Sequence, residues 1–308
     1  MKMLKVLMIA WMGVFLACVF STPVGAREAI IIGGKNFTEQ YLLPELAKIL
    51  LEAKGLDVQL KTGVGSAVMR QSLLNDQIDL YYEYTGTAYT IYYKGSDRDI
   101  MTDSGKVYQW VKKKDADKEL IWLTPLEFNN TYTLMMRENQ AQELGIETIS
   151  DLARYINNHP NALTIGINAE FWERPDGFKP LMKTYDFRVP YGKIRKMESG
   201  LVYKALKEKN VDVSMGFTTD GRIAAFGFTP LKDDKNYFPV YNPAPVVRKA
   251  VLDAHPEIRD ILGPLADHLD TKAMQDMNAR VDVQHQDVTS VARNWLEKAQ
   301  LWQPDGEL

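Results

Sequence analysis

From residue 29 onward, short apolar runs alternate with longer stretches of helical periodicity, and that alternation most constrains what the chain can fold into. Ala29-Ile30-Ile31-Ile32 reads as a buried strand ending at Gly33-Gly34. Tyr41 to Leu51 then sets Leu42, Leu43, Leu46, Ile49 and Leu50 at helical spacing. Asn36 is placed to cap that helix, and Glu39 three positions on completes a capping-box pattern. Val58–Leu60 reads as a second strand, Ser66 as the cap of a helix over 67–75, and Ile78–Leu80 as a third strand. Beyond residue 128 the pattern resumes, with strands at Tyr132–Met136, Leu163–Ile167 and Val211–Met215 and helices at Ile149–Ile156 and Leu201–Lys207. The chain closes on helical stretches at Glu257–Leu269, Thr271–Arg280 and Asp287–Leu301. Such alternation predicts an α/β fold with mostly parallel sheet covered by helices. No Pro/Gly/Ser-rich tether divides the chain, so two domains would be joined by more than one crossing.

The N-terminus reads differently. Lys2 and Lys5 precede an apolar run from Val6 to Phe20 broken only by Gly13, and Val24-Gly25-Ala26 offers small residues for cleavage. This is the layout of a secretory signal peptide over residues 1–26, too short at about fifteen apolar residues to serve as a membrane span of roughly 20. Cys18 is the single cysteine and would leave with it, so no disulfide is expected. The whole chain carries a net charge of −3, and loss of the two lysines takes it to −5. A mildly acidic exported chain is a poor candidate for nucleic-acid binding. The expected location is the periplasm, as a soluble monomer.

Catalytic and metal chemistry have few carriers. His159, His255, His268 and His285 show no metal-ligand spacing, and no nucleophile elbow or phosphate loop occurs. Glu83 and Glu170 are the candidate general bases of a small-metabolite enzyme, but neither has a nucleophile partner in sequence. The reading is therefore a protein that is not an enzyme and carries no cofactor or metal. The informative excess is tyrosine, 15 residues, several clustered at the strand end Ile78-Asp79-Leu80-Tyr81-Tyr82-Glu83-Tyr84-Thr85-Gly86-Thr87. Ligands of open α/β sheets bind at the carboxyl ends of strands. Aromatic faces gathered there would suit a methylated ammonium, which offers no strong hydrogen-bond donor.

Gly34-Lys35-Asn36-Phe37-Thr38-Glu39-Gln40 is similar to the opening motif of the quaternary-amine-binding proteins of osmoprotectant ABC importers, the OpuAC-like family. Asp79–Thr87, Phe128-Asn129-Asn130-Thr131-Tyr132, Arg174-Pro175-Asp176-Gly177, Thr219-Asp220-Gly221-Arg222-Ile223 and Phe238-Pro239-Val240-Tyr241-Asn242 follow in the family's order. The resemblance implies a two-lobed, type II-like periplasmic-binding-protein fold with a two-segment hinge. Residues 27–127 with 228–308 would form one lobe, and 128–227 the other. It implies an aromatic box of Tyr82, Tyr132, Phe217 and Tyr241 around a trimethylammonium group. Lys35, Thr85 and Arg174 would hold a carboxylate, with Gln40 and Ser66 as helpers. Asn130 stands where relatives often carry Asp, and Phe217 where they carry Tyr. Loss of an acid near the cation favours a glycine-betaine-like zwitterion over choline, with carnitine, ergothioneine or an amino acid as alternative solutes. The implied partner is an ABC importer permease in the inner membrane.

Overall fold

The computed structural model describes residues 29–304; the signal-peptide segment and Cys18 lie outside the described residues. Two five-stranded mixed sheets share one plan. The first has the order β2-β1-β3-β10-β4, from β1 (Ile30–Lys35), β2 (Val58–Val64), β3 (Leu80–Tyr84), β4 (Leu120–Trp122) and β10 (Pro243–Arg248). The second has the order β7-β6-β8-β5-β9, from β5 (Tyr132–Arg137), β6 (Ile165–Ile167), β7 (Ile194–Lys196), β8 (Val213–Phe217) and β9 (Phe228–Pro230). In each sheet only one strand is reversed against its neighbours, β10 in the first and β5 in the second. The remaining strands run one way, as the strand–helix alternation requires.

The chain leaves the first sheet after β4, builds the second, and returns at β10. Because β9 pairs with β5 through Arg137 and Phe228, the second sheet extends past residue 227. The return crossing therefore runs later than the sequence suggests, through 231–242. The two crossings lie side by side: the Leu126 N–H donates to the Pro243 carbonyl at 2.8 Å, and that of Asn130 to the Tyr241 carbonyl at 3.1 Å. Asn242 Nδ2 adds a bond to the Phe128 carbonyl at 2.8 Å.

Local chemistry explains where elements start and stop. Gly33 and Gly34 do not end β1 but lie within it, because neighbours leave no room for side chains there. A Cβ on Gly33 would stand 2.4 Å from the Met69 sulfur, and one on Gly34 2.3 Å from the Gln40 carbonyl. β3 begins later than expected because the Asp79 carboxylate first takes the Ile31 N–H at 2.7 Å. The helix Glu39–Glu52 lacks the expected capping box. Thr38, not Asn36, precedes it, and Thr38 makes no capping bond. Ser66 is the first residue of the helix Ser66–Leu74, not its cap, and Gly65 takes the cap position. The C-terminal helical region breaks at Gly263-Pro264 into Ile258–Leu262 and Pro264–His268. These helices and Thr271–Asp282 and Val288–Lys298 bring Leu262, Leu265, Met274 and Leu296 onto the core around Leu42, Leu46 and Leu50. Among the described residues no helix is long and apolar enough to cross a membrane.

Candidate functional site

The carboxyl ends of β1, β3, β6 and β8 face a cleft between the two sheets. Lys35 closes β1, Tyr84 closes β3 and Phe217 closes β8, while Tyr132 opens β5 and Tyr241 stands on the return crossing. Rings from both sheets converge. Phe37 stacks on Phe217 with centroids 5.5 Å apart and planes 16° apart, and lies 6.1 Å from Tyr84. Tyr132 lies 5.0 Å from Phe217 and meets Tyr241 edge-on at 5.8 Å. The back of Tyr132 is covered by Phe171 at 4.7 Å, which fixes the ring's orientation.

Arg174 supplies the cationic end. Its guanidinium carbon lies 5.2 Å from the Tyr132 centroid and 5.6 Å from that of Tyr241. Nε and Nη2 donate to the two oxygens of Asp176 at 2.7 and 2.8 Å. Asp176 also accepts from Thr90 at 2.6 Å and from the Tyr241 hydroxyl at 2.6 Å. Burial alone would raise the Asp176 carboxyl, but the Arg174 charge and these donors outweigh it and hold it below the ordinary range. Nη1 makes only longer contacts, to Glu170 at 3.2 Å and Thr87 at 3.5 Å. That edge of the guanidinium is the one a ligand carboxylate can take over.

Lys35 is almost fully buried and bonds Glu83 at 2.5 Å, with its ammonium 4.9 Å from the Tyr84 centroid. Glu83 further accepts from the Tyr84 N–H and from the hydroxyls of Tyr81 and Tyr92, each at 2.7 Å. A carboxylate carrying four donors is not a free general base, which removes the first catalytic candidate. Glu170 instead bridges the sheets, accepting from Ser66 of the first at 2.9 Å. Around the cleft, two cations (Lys35 and Arg174) meet four carboxylates (Glu39, Glu83, Glu170 and Asp176). The surplus is negative, which suits a cationic guest.

Several expected residues meet here: Lys35, Ser66, Asn130, Tyr132, Arg174, Phe217 and Tyr241 all line the cleft. Tyr82 does not. It is wholly buried in the first core beside Leu42 and Leu46, and its hydroxyl has no partner. Two residues further along the same face of β3, a displacement of about 7 Å, Tyr84 takes the wall position instead. Thr85 also lies off the cleft. Its hydroxyl donates to the Val240 carbonyl at 3.1 Å and accepts the Asn242 N–H at 3.2 Å, clamping the return crossing. Gln40 is a frame residue behind the wall, donating to the Tyr82 carbonyl at 3.0 Å and the Tyr84 hydroxyl at 3.1 Å. Phe37, Thr87, Asn168 and Ser199 also line the cleft, though none is among the expected contacts. Phe37 and Thr87 sit inside two of the quoted motifs and are the more legible of the four.

The amide of Asn130 is backed by a carboxylate from a residue distant in sequence. Asn130 Nδ2 donates to Glu39 Oε1 at 2.9 Å, so a carboxylate stands directly behind the amide. Glu39 also accepts from the Tyr84 hydroxyl at 2.6 Å and, on its other oxygen, from Thr219 of the second sheet's half at 2.6 Å. Complete burial raises its pKa to about 6 despite those three donors.

Residues 28–298 match the family model described as the substrate-binding domain of ABC-type glycine betaine transport systems. A glycine-betaine-binding protein of Pseudomonas aeruginosa is 40% identical over 93% of this chain and 93% of its own length. The carnitine transport binding protein OpuCC of Listeria monocytogenes is 32% identical over 89% of this chain and 87% of its own. A solved structure of a glycine betaine/carnitine/choline ABC transporter protein superposes with a TM-score of 0.72 at 29% identity, covering 88% of this chain and 99% of that one.

Proposed function

This chain belongs to the family of substrate-binding domains of ABC-type glycine betaine transport systems, and from that membership we propose that its cleft captures a small zwitterionic quaternary-ammonium compound for delivery to the importer's permease. Phe37 and Tyr84 from one side, Phe217 and Tyr132 from the other, and Tyr241 on the crossing would surround the methylated nitrogen. Each desolvated aromatic face contributes about 0.5–2 kcal/mol to such a cation. The ligand carboxylate would turn to Arg174, displacing Glu170 and Thr87 from Nη1. The observation that carries the reading is the meeting of rings from both sheets at one arginine. Enclosure by both sheets gives the closed form a higher affinity than the open one, which is what drives closure. We assign the protein to the periplasm, acting as a monomer beside an inner-membrane permease.

Isothermal calorimetry with glycine betaine, carnitine, choline and ergothioneine tests this reading. Heats of binding with at least one methylammonium compound, and none with unmethylated amino acids, are expected. Flat traces across the whole methylammonium set would refute it.

A further inference from the structure

Beyond the Phe37–Phe217 stack the cleft continues into a second chamber that shares Asn36, Phe37, Asn130, Ser199 and Phe217 with it. Its charged lining carries more acids than bases. Glu39, Asp220 and Asp282 are carboxylates, balanced by Arg222, which bonds Asp220 at 2.5 Å and lies 3.3 Å from Asp282. Two side-chain amides add acceptors that no donor reaches: Oδ1 of Asn130 and Oδ1 of Asn278 are buried and unpartnered. Their orientations are fixed, because each Nδ2 faces an acceptor: Glu39 Oε1 at 2.9 Å for Asn130 and the Thr219 carbonyl at 2.9 Å for Asn278. Turning either amide over would set oxygen against oxygen, so the free atom must be the carbonyl. Asn130 is 5% and Asn278 3% exposed, so bulk water does not serve them.

We infer that this chamber is a subsite for a hydrogen-bond donor of the ligand, so that the protein prefers a quaternary-ammonium compound bearing a hydroxyl or N–H over one that has none. The inference rests on the quaternary-ammonium reading and adds a specificity to it. The carboxylates of the chamber repel an acid group, which directs the ligand's carboxylate to Arg174 and its donor to Asn130. Trimethylglycine has no donor and leaves Asn130 Oδ1 unpaired, whereas a hydroxylated betaine satisfies it. A buried acceptor left without a donor carries a penalty worth roughly tenfold or more in affinity.

Matched ligand pairs test this on the wild-type protein by calorimetry: carnitine against 4-trimethylammoniobutyrate, which lacks only its hydroxyl, and choline against its O-methyl ether. The hydroxylated member of each pair is expected to bind about tenfold tighter or more, and Asn130→Ala is expected to bring the ratio close to one. Equal or tighter binding of the donor-free members by the wild type overturns the subsite while leaving the quaternary-ammonium function standing. Absence of binding by all four compounds while glycine betaine binds also overturns the subsite, and absence of binding by the whole methylammonium set defeats both. If Asn130→Ala fails to fold, as a thermal melt would reveal, the wild-type ratios still decide the matter.

Discussion

Tyr82 and Tyr84 lie two positions apart on one face of β3 and do different work. Tyr84 borders the cleft and donates its hydroxyl to Glu39, while Tyr82 is sealed in the core with an unpaired hydroxyl. An unsatisfied buried hydroxyl costs about 1–3 kcal/mol, and exchanging it for hydrogen removes that cost without opening a cavity. Tyr82→Phe is therefore expected to raise the melting temperature by a few degrees and leave ligand affinity unchanged. Tyr84→Ala is expected to weaken binding about tenfold or more, through loss of one ring face and of the hydroxyl that anchors Glu39. Differential scanning fluorimetry and calorimetry on the two variants read this contrast. Weakened binding in Tyr82→Phe with normal affinity in Tyr84→Ala would reverse the assignment of the wall.

At the scale of elements, the turn after β8 presses on the C-terminal helix Thr271–Asp282 and ties the two halves together. A Cβ on Gly221 would stand 2.4 Å from that of Ala279 and 2.6 Å from the Gln275 carbonyl. Gln275 and Asn278 bond the carbonyls of Thr218 and Thr219 at 2.8 and 2.9 Å. Gly221→Ala should push the turn off the helix and make the closed form harder to reach. Ligand affinity would then fall several-fold, and ligand-induced compaction in small-angle X-ray scattering would shrink; unchanged compaction would show that the contact does not govern closure. The same region marks how far sequence reaches. The order of strands and helices was legible because hydrophobic period is a local property, and the cleft's aromatic character was legible at Tyr132, Phe217 and Tyr241. The capping box was not, because Glu39 is drawn away by Tyr84, Asn130 and Thr219, partners 45, 91 and 180 residues distant. Which tyrosine of β3 reaches the cleft depends on where the strand ends against its neighbours, a matter of depth that alternation alone cannot fix. The return crossing lies later than the sequence suggests for a related reason, since only pairing with β5 shows that Phe228–Pro230 is an edge strand.

Over the whole molecule, Glu39 is placed to couple proton binding to folding and to ligand capture, because one buried carboxylate joins Tyr84 of the first half, Asn130 of the crossing and Thr219 of the second. Its pKa rises from the ordinary 4.5 to about 6 on burial. Below 4.5 both folded and unfolded chains hold the proton, and above about 6 both have lost it. Between these values the folded chain holds more, so stability from this group is full at low pH and is lost as pH rises through the window, by about 2 kcal/mol. Glu39→Gln has no such proton to lose. The stability of the wild type relative to this variant, from urea unfolding at pH 4.5 to 7, should decline by about that amount; parallel curves would exclude Glu39 as the titrating group. Ligand capture must run the other way. A cation in the ring cleft favours the ionised carboxylate behind Asn130, so binding draws the Glu39 pKa down and releases a proton. Affinity for a quaternary ammonium should accordingly weaken several-fold from pH 7 to pH 5 in the wild type and stay level in Glu39→Gln. Calorimetry in two buffers of different ionisation heat, at pH 5.5, would detect the released proton directly, and its absence would uncouple Glu39 from the cleft.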